Sequence, residues 1–119
     1  MALHNDLGKW GEDMAAAFLR EEGLVIIDRD WQSGHRDIDI VAIDGLTLVF
    51  VEVKTRRNRL YTEPEESIDR EKMQYLRLAM NHYVKVRHID RPVRFDIVTV
   101  VGDTFTFPEI KHIKDVPVY

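Results

Sequence analysis

An Asp44-Gly45 pair separates two segments rich in β-branched residues, and this arrangement constrains the fold more than any other feature of the chain. The segments are residues 37–43 and 46–54. Asp-Gly between two such segments is a strong signal for a β-hairpin with a two-residue turn. The chain is therefore expected to contain an antiparallel pair of strands, with side chains that alternate between the two faces.

The predicted register places four charged side chains on one face of this hairpin: Asp37, Asp39, Glu52 and Lys54. With Ile43 opposite Leu46, Asp39 and Glu52 become diagonal neighbours, with Cα atoms roughly 7–8 Å apart. Carboxylates gathered in this way repel each other unless a cation lies between them. A slip of one residue would send the two acids to opposite faces. The hairpin therefore predicts a cation site that depends on the parity of the register.

Two acids and a lysine around a divalent cation suit the hydrolysis of phosphodiester bonds. Asp39 and Glu52 offer hard oxygen ligands for Mg²⁺ or Mn²⁺, and the backbone carbonyl of Val53 is a further candidate ligand. Lys54 could orient a water molecule and stabilise negative charge on the attacked phosphoryl group. Glu12 lies at the edge of the apolar stripe of a predicted first helix, from where it could bind the metal through water.

The competing interpretation is that these charges project into solvent from an edge strand. Glu52 lies among apolar residues that otherwise indicate a core strand, and a carboxylate in a covered sheet must be paired, protonated or bound to metal. Its alignment with Asp39 favours a site. Asp37 is a weaker candidate because acids are common in turns, and His35 is expected to be a loop residue. Near the end of the chain, Arg94 and Asp96 share a strand face, which predicts a structural ion pair.

Composition limits the function classes. The 119 residues, 45% of them hydrophobic and 32% charged, are typical of a soluble globular protein, and one domain, residues 1–119, is expected. The sequence has no apolar run of about 20 residues, no signal peptide and no cysteine, so we expect a cytoplasmic protein that does not bind membranes.

A net charge of −4 counts against a protein that coats nucleic acid by charge alone. Residues 54–59 nevertheless carry four cations immediately after the predicted acidic site. Such a run is more often a solvated loop, but beside a metal site it has the right sign to hold a phosphate backbone. The predicted nucleic-acid contacts are Arg56, Arg57 and Arg59.

The predicted elements follow the order α-β-β-β-α-β with a small β extension. Helices are expected at residues 7–22 and 67–87, and strands at 24–31, 37–43, 46–54 and 93–101. A short strand at 104–107 and an edge segment within 110–118 are further candidates. The helix between the third and fourth strands predicts a crossover that returns parallel. The fold class is therefore α/β, with a mixed sheet flanked by helices.

Four sequence blocks resemble, in the same order, the YraN-type family of small bacterial proteins in the PD-(D/E)XK nuclease superfamily. The blocks are residues 11–15, 37–41, 49–56 and 93–98. Asp39 matches the first acid of the superfamily motif, and Glu52-Val53-Lys54 matches its E-x-K. The resemblance implies a restriction-endonuclease-like αβββαβ core with a divalent-metal site on the second and third strands. Glu12 matches the helix acid that assists this site in Holliday-junction resolvase-like members.

Two positions depart from the pattern. Ile38 stands where the superfamily has a proline before the first acid, and Arg36-Asp37 stands where the family often has Gly-Glu. Neither departure removes a predicted ligand. The resemblance implies a Mg²⁺- or Mn²⁺-dependent endonuclease acting on branched or single-stranded DNA, and a homodimer, since paired cuts need two sites. Two other functions remain open: a non-catalytic nucleic-acid-binding module with the same fold, and a metal-stabilised structural protein.

Overall fold

A computed structural model describes residues 3–34, 36–58 and 70–118, which form a five-stranded mixed sheet between two helices. The elements are α1 (Leu3–Glu21), β1 (Val25–Ser33), β2 (Arg36–Asp44), β3 (Thr47–Arg56), α2 (Arg70–Val86), β4 (Val93–Val101) and β5 (Glu109–Ile113). The strands lie in the sheet in chain order. β3 and β4 are parallel, and the other neighbouring strands are antiparallel. The predicted α/β class is confirmed, and the arrangement is consistent with a restriction-endonuclease-like core.

Helix α1 begins at Leu3, earlier than the predicted residue 7, and Asp6 therefore lies within its first turn. A negative charge in that turn stabilises the helix dipole. The helix ends at Glu21, and Gly23 follows it with a φ of 95°. The N–H of Leu24 donates to the carbonyl of Leu19 at 3.0 Å, as in a Schellman motif. This termination leads the chain directly into β1.

Two apolar layers lie on opposite faces of the sheet. Helix α1 packs on one face through its small residues Ala15 and Ala16, together with Leu19. Helix α2 packs on the other face through its buried residues Met73, Leu76, Ala79, Met80 and Tyr83. In β3, alternate residues enter opposite layers, with Val49 and Val51 toward α1 and Leu48 and Phe50 toward α2. The predicted start of α2 at residue 67 lies outside the described residues.

The β2–β3 hairpin differs from its predicted register by two residues. Asp44 pairs with Thr47, so the turn consists of Gly45 and Leu46, and the predicted pairing of Ile43 with Leu46 is wrong. Gly45 has a φ of 61°, and a glycine at the first central position is typical of a type II′ turn. The glycine therefore fixes the turn one residue later than the Asp-Gly pair suggested. Because the shift is even, it does not by itself exchange the faces of the acids. The alternation is nevertheless interrupted at Asp39, because Ile38 packs in the α2 layer and Ile40 in the α1 layer.

The connection from β4 to β5 is a turn, and the strand predicted at 104–107 is wrong. In this turn the N–H of Thr106 donates to the carbonyl of Asp103 at 3.2 Å. The predicted edge segment does contain a strand, β5, which pairs antiparallel with β4. No helix in the described part of the chain is long and apolar enough to cross a membrane.

Candidate metal centre

The ladder of paired residues between β2 and β3 ends at Ile40 and Val51. Beyond this point, which we call the β2–β3 split, Asp39 Oδ2 accepts a hydrogen bond from the backbone N–H of Val53 at 2.8 Å. The N–H of Val53 lies beyond the last residue pair of the two strands, and the carboxylate of Asp39 is its acceptor. Counting on from the last pair, Asp39 is level with Glu52, so the two acids are directly opposed rather than diagonal as predicted.

The carboxylate of Glu52 is buried, with 4% of the residue exposed, on the face of β3 that packs toward α2. Lys72 Nζ, from α2, lies 3.5 Å from Glu52 Oε2, which is an ion-pair distance. Among the described residues, Oε2 nevertheless has no hydrogen-bond partner. A buried carboxylate oxygen without a hydrogen bond is costly, so this atom fits a ligand position for a cation.

The electrostatic environment of Asp39 is unfavourable for a second negative charge. Burial raises the pKa of Asp39 most, and the hydrogen bond and charge of Glu52 raise it further. The N–H of Val53 lowers this pKa only in part, and the charge of Glu12 adds to the increase. The paired carboxyl groups therefore need either a shared proton or a cation between them.

Helix α1 approaches β3 closely enough to bring Glu12 to this pair. A Cβ on Gly11 would lie 2.9 Å from Cβ of Thr55 and would overlap the rest of that side chain. Only glycine fits here without a shift of the helix or the strand. Gly11 therefore sets the height at which the next residue, Glu12, reaches the split between β2 and β3.

A further acid, Asp30, lies beside Glu12 and Asp39, and the sequence did not predict it as part of the site. We call Glu12, Asp30, Asp39 and Glu52 the acid group. Glu12, Asp30 and Asp39 each offer a carboxylate oxygen within 4.8 Å of the others. Asp30 lies level with Asp39, between the pairs Arg29–Ile40 and Trp31–Ile38, and its φ is 52°. The available signal was an acid that follows the apolar run of the first strand. That signal gave no register, so Asp30 could not be matched to Asp39 in advance.

Glu12 lies beside a second acid, Asp30, and a cation, Arg29. Burial and the neighbouring Asp30 raise the pKa of Glu12 to about 7, although Arg29 opposes this change. Arg29 lies 3.1 Å from Glu12 Oε1 and 2.7 Å from Asp13 Oδ1. These residues line a polar cleft of about 600 Å³, together with Lys9. Glu12 and Asp30 are therefore accessible from the α1 side of the sheet.

Lys54 is half-buried and follows Glu52 by two residues, so it lies on the same face of β3. Burial lowers the pKa of Lys54, while the charge of Glu52 raises it and the charge of Lys72 lowers it. Val53 stands between these residues, and its N–H is held by Asp39. The role of the Val53 carbonyl as a ligand stays a prediction.

The remaining candidates lie around this centre rather than in it. Asp37 is exposed and lines a small cavity of about 80 Å³ on the α2 side, with Arg36 and Lys72 among the lining residues. Arg56 donates a hydrogen bond to the carbonyl of Thr55 at 2.9 Å. The exposed Arg57 directly follows the end of β3. Arg59 and His35 lie outside the described residues.

A second buried carboxylate, Asp96, lies on β4 and is fully paired. Arg94 donates to both of its oxygens at 2.9 Å, as the sequence predicted. His112 Nε2 lies 2.7 Å from Oδ2, and the N–H of Asp115 donates to Oδ1 at 2.9 Å. Burial raises the pKa of Asp96, but these hydrogen bonds outweigh burial and lower the pKa to about 2. This carboxylate has a structural role, because it links β4 to β5 and to the segment after it. We call it a structural brace.

Comparison with known proteins identifies close relatives over most of the chain. The sequence profile of a family described as "Uncharacterised protein family UPF0102" matches residues 11–100. A UPF0102 protein of Bacteroides thetaiotaomicron is 50% identical over 115 residues, which cover 97% of this chain and 94% of the relative. A Rhodococcus opacus UPF0102 protein is 42% identical over 117 residues, covering 97% and 98%.

A UPF0102 protein of Porphyromonas gingivalis is 46% identical over 101 residues, which cover 85% of this chain and 75% of the relative. The names of these relatives state no activity. The matched residues 11–100 include every described member of the acid group and Lys54.

Proposed function

The chain belongs to the UPF0102 (YraN) family, and we propose that it is a divalent-metal-dependent nuclease that hydrolyses phosphodiester bonds in DNA. The observation that carries this proposal is the buried carboxylate of Glu52, which stands beside the carboxyl group of Asp39 and whose Oε2 already lies 3.5 Å from a cation, the ammonium group of Lys72. A divalent cation bound by these oxygens would relieve the repulsion between the acids.

The donor set around the split suits a hard cation. Asp39 and Glu52 would hold Mg²⁺ or Mn²⁺ directly, with the Val53 carbonyl as a further ligand. Glu12 and Asp30 would contribute from the α1 side, where their oxygens lie near that of Asp39. The bound cation would activate the attacking water and neutralise charge on the phosphoryl group.

Lys54 is the residue to which we assign a catalytic role beyond metal binding. Its ammonium group stands on the same face as Glu52, where it would hydrogen-bond to the attacking water and stabilise negative charge on the phosphoryl oxygens. Partial burial strengthens such an interaction because the local dielectric constant is lower than that of water.

Cations on both sides of the acid group would hold the DNA backbone. Arg56, Arg57 and Arg59 follow the catalytic part of β3, and Lys9 and Arg29 line the cleft on the α1 side. Because the chain has a net charge of −4, affinity would come from these local cations and would fall with salt. Branched or single-stranded DNA is the expected substrate, with a homodimer in the cytoplasm as the working form.

The test is cleavage of end-labelled linear duplex, single-stranded, flapped and four-way DNA with Mg²⁺ or Mn²⁺. Wild type is compared with Glu52→Gln and Lys54→Ala, each of which should lower the rate at least about 100-fold. Glu22→Gln and Lys85→Ala are matched controls, because both residues are exposed and neither lies in the acid group. These controls should cut at the rate of wild type.

Two results would contradict the proposal. Cutting that persists in both site variants would indicate a contaminating nuclease. Salt-sensitive DNA binding by wild type that never leads to cutting with either metal would instead indicate a non-catalytic nucleic-acid-binding module.

A further inference from the structure

The loop between β4 and β5 carries the two most exposed aromatic side chains of the described residues. Phe105 is 94% exposed and Phe107 is 100% exposed. Phenylalanine usually contributes its large apolar surface to a core or an interface, so two fully exposed rings in one short loop need an explanation. We call residues 102–108 the aromatic loop.

The aromatic loop is held by its own hydrogen bonds. The N–H of Phe105 donates to Asp103 Oδ1 at 2.9 Å, and the N–H of Asp103 donates to Thr106 Oγ1 at 3.1 Å. Gly102 opens the loop with a φ of 142°, and a Cβ there would lie 3.6 Å from the ring of Trp10. The two phenylalanines are therefore presented by an ordered turn packed against α1.

The aromatic loop begins beside the predicted DNA-binding cations. The N–H of Gly102 donates to the carbonyl of Arg56 at 2.9 Å, and Arg56 pairs with Val101. Lys54 pairs with Thr99, two residues earlier on the same pair of strands. The loop thus leaves the sheet about 7 Å beyond the level of Lys54.

We propose that Phe105 and Phe107 form a stacking surface for the unpaired bases of the DNA that the metal centre cuts. This inference rests on the proposed nuclease function and names the feature of the substrate that it recognises. Every base has a π-face that stacks on aromatic rings, and neighbouring arginines attract the backbone. Arg56, whose carbonyl accepts from the N–H of Gly102, and the exposed Arg57 would provide that charge beside the start of the loop.

The stacking surface gives a physical reason for a preference among DNA structures. Bases inside a duplex are already stacked on each other, so they expose no face to Phe105 and Phe107. Bases in a single strand, a flap or a branch point can stack on the rings without breaking pairs. The aromatic loop should therefore favour cutting near unpaired nucleotides.

The test is binding of a fluorescein-labelled single-stranded oligonucleotide and of a blunt duplex of the same length, in Ca²⁺ to limit cutting. The variant is Phe105→Ala/Phe107→Ala. Its affinity for the single strand should fall at least about tenfold, while its affinity for the duplex changes less than about threefold. Phe105→Trp/Phe107→Trp should retain single-strand binding, because tryptophan also stacks.

Leu46→Ala is the matched control, because Leu46 is 80% exposed in the turn at the opposite end of β3. It should bind both DNAs as wild type does. Far-ultraviolet circular dichroism should show that the double variant is folded, as expected for side chains without buried contacts. Sedimentation of both proteins separates base stacking from self-association.

Unchanged single-strand affinity in the alanine variant, while wild type still cuts DNA, would overturn this inference alone. Equal loss on both DNAs, or conversion of a dimer to a monomer, would also overturn it, the latter by making the loop a contact between two copies of the chain. No binding of either DNA by wild type would instead remove the proposed nuclease function.

Discussion

Asp39 and Asp96 are carboxylates on the two strands that flank β3, and their surroundings are opposite. Asp96 is surrounded by donors: Arg94, His112 and the N–H of Asp115. Asp39 has the N–H of Val53 and, beyond it, the acids Glu12 and Glu52. Accordingly, the pKa of Asp96 is lowered to about 2, whereas the pKa of Asp39 is raised.

The difference separates a brace from a site. The bonds of Asp96 tie β5 and the segment after it to β4, and the nearby N–H of Val116 donates to the carbonyl of Phe95 at 2.7 Å. Such a network is complete within the protein. The acids around Asp39 repel one another and stabilise the fold only when something neutralises them. A local conflict of this kind is typical of functional sites.

The largest expected effect comes from making the same substitution at both positions. Asp96→Asn should cost about 3 kcal/mol of unfolding free energy, because it removes the buried charge that accepts from Arg94 and the N–H of Asp115 and leaves Arg94 with Asp44 alone. Asp39→Asn, in the absence of metal, should change the unfolding free energy by less than about 1 kcal/mol, because it also removes repulsion. Urea denaturation in EDTA measures both. Equal losses would remove the distinction between brace and site.

Metal should stabilise only one of the two regions. At a free Mn²⁺ concentration of 100 Kd, wild type should gain about 2.7 kcal/mol of unfolding free energy. Asp96→Asn should keep this gain from a lower starting point, while Asp39→Asn and Glu52→Gln should lose it. The measurement is denaturation with and without Mn²⁺. A gain that survives in Glu52→Gln would place the cation elsewhere.

The pH dependence of stability should show both carboxylates with opposite signs. Asp96 has a folded pKa of about 2 against an ordinary 3.8, so the folded state binds fewer protons between these values. Its contribution, about 2 kcal/mol, is present above the ordinary pKa and lost as the pH falls toward 2. The folded pKa of Asp39 is raised, so its protonated form is favoured by folding, and stability falls as the pH rises above 3.8.

In EDTA the protein should therefore be more stable near pH 5 than near pH 7. Asp39→Asn should flatten the neutral side of this profile, and Asp96→Asn should flatten the acid side. Urea midpoints between pH 2 and pH 8 give the profile. If Asp39→Asn lost as much stability between pH 5 and pH 7 as wild type does, the repulsion assigned to Asp39 and its neighbouring acids would be contradicted.

A smaller loss of stability than that of Asp96→Asn is expected at the close contact that positions Glu12. Gly11→Ala overlaps the side chain of Thr55, which is costly, but alanine also favours the helix. The net loss should be about 1 kcal/mol, with a larger loss of cleavage because Glu12 moves away from Asp39. Gly8→Ala is the control, since a Cβ there meets nothing within 4 Å and should stabilise the helix. Gly11→Ala/Thr55→Ala should recover part of the cleavage rate.

Local periodicity was sufficient to predict the order of the elements and the Arg94–Asp96 pair. The parallel return of β4 followed from the helix that connects it to β3. The turn of the β2–β3 hairpin was wrong by one position, since sequence alone did not decide whether Gly45 stands first or second in it. Asp30 was missed because its proximity to Asp39 depends on a strand register that no short motif specifies. The exposure of Phe105 and Phe107 was missed because alternating Thr and Phe also suits a strand.

The most direct test of the central claim is an anomalous diffraction map from crystals soaked in Mn²⁺. We expect a peak about 2.0–2.2 Å from carboxylate oxygens of Asp39 and Glu52, with Glu12 or Asp30 nearby, and no peak at Asp96. Well-ordered acids at the β2–β3 split with no peak between them, at a Mn²⁺ concentration that fills other sites, would contradict it.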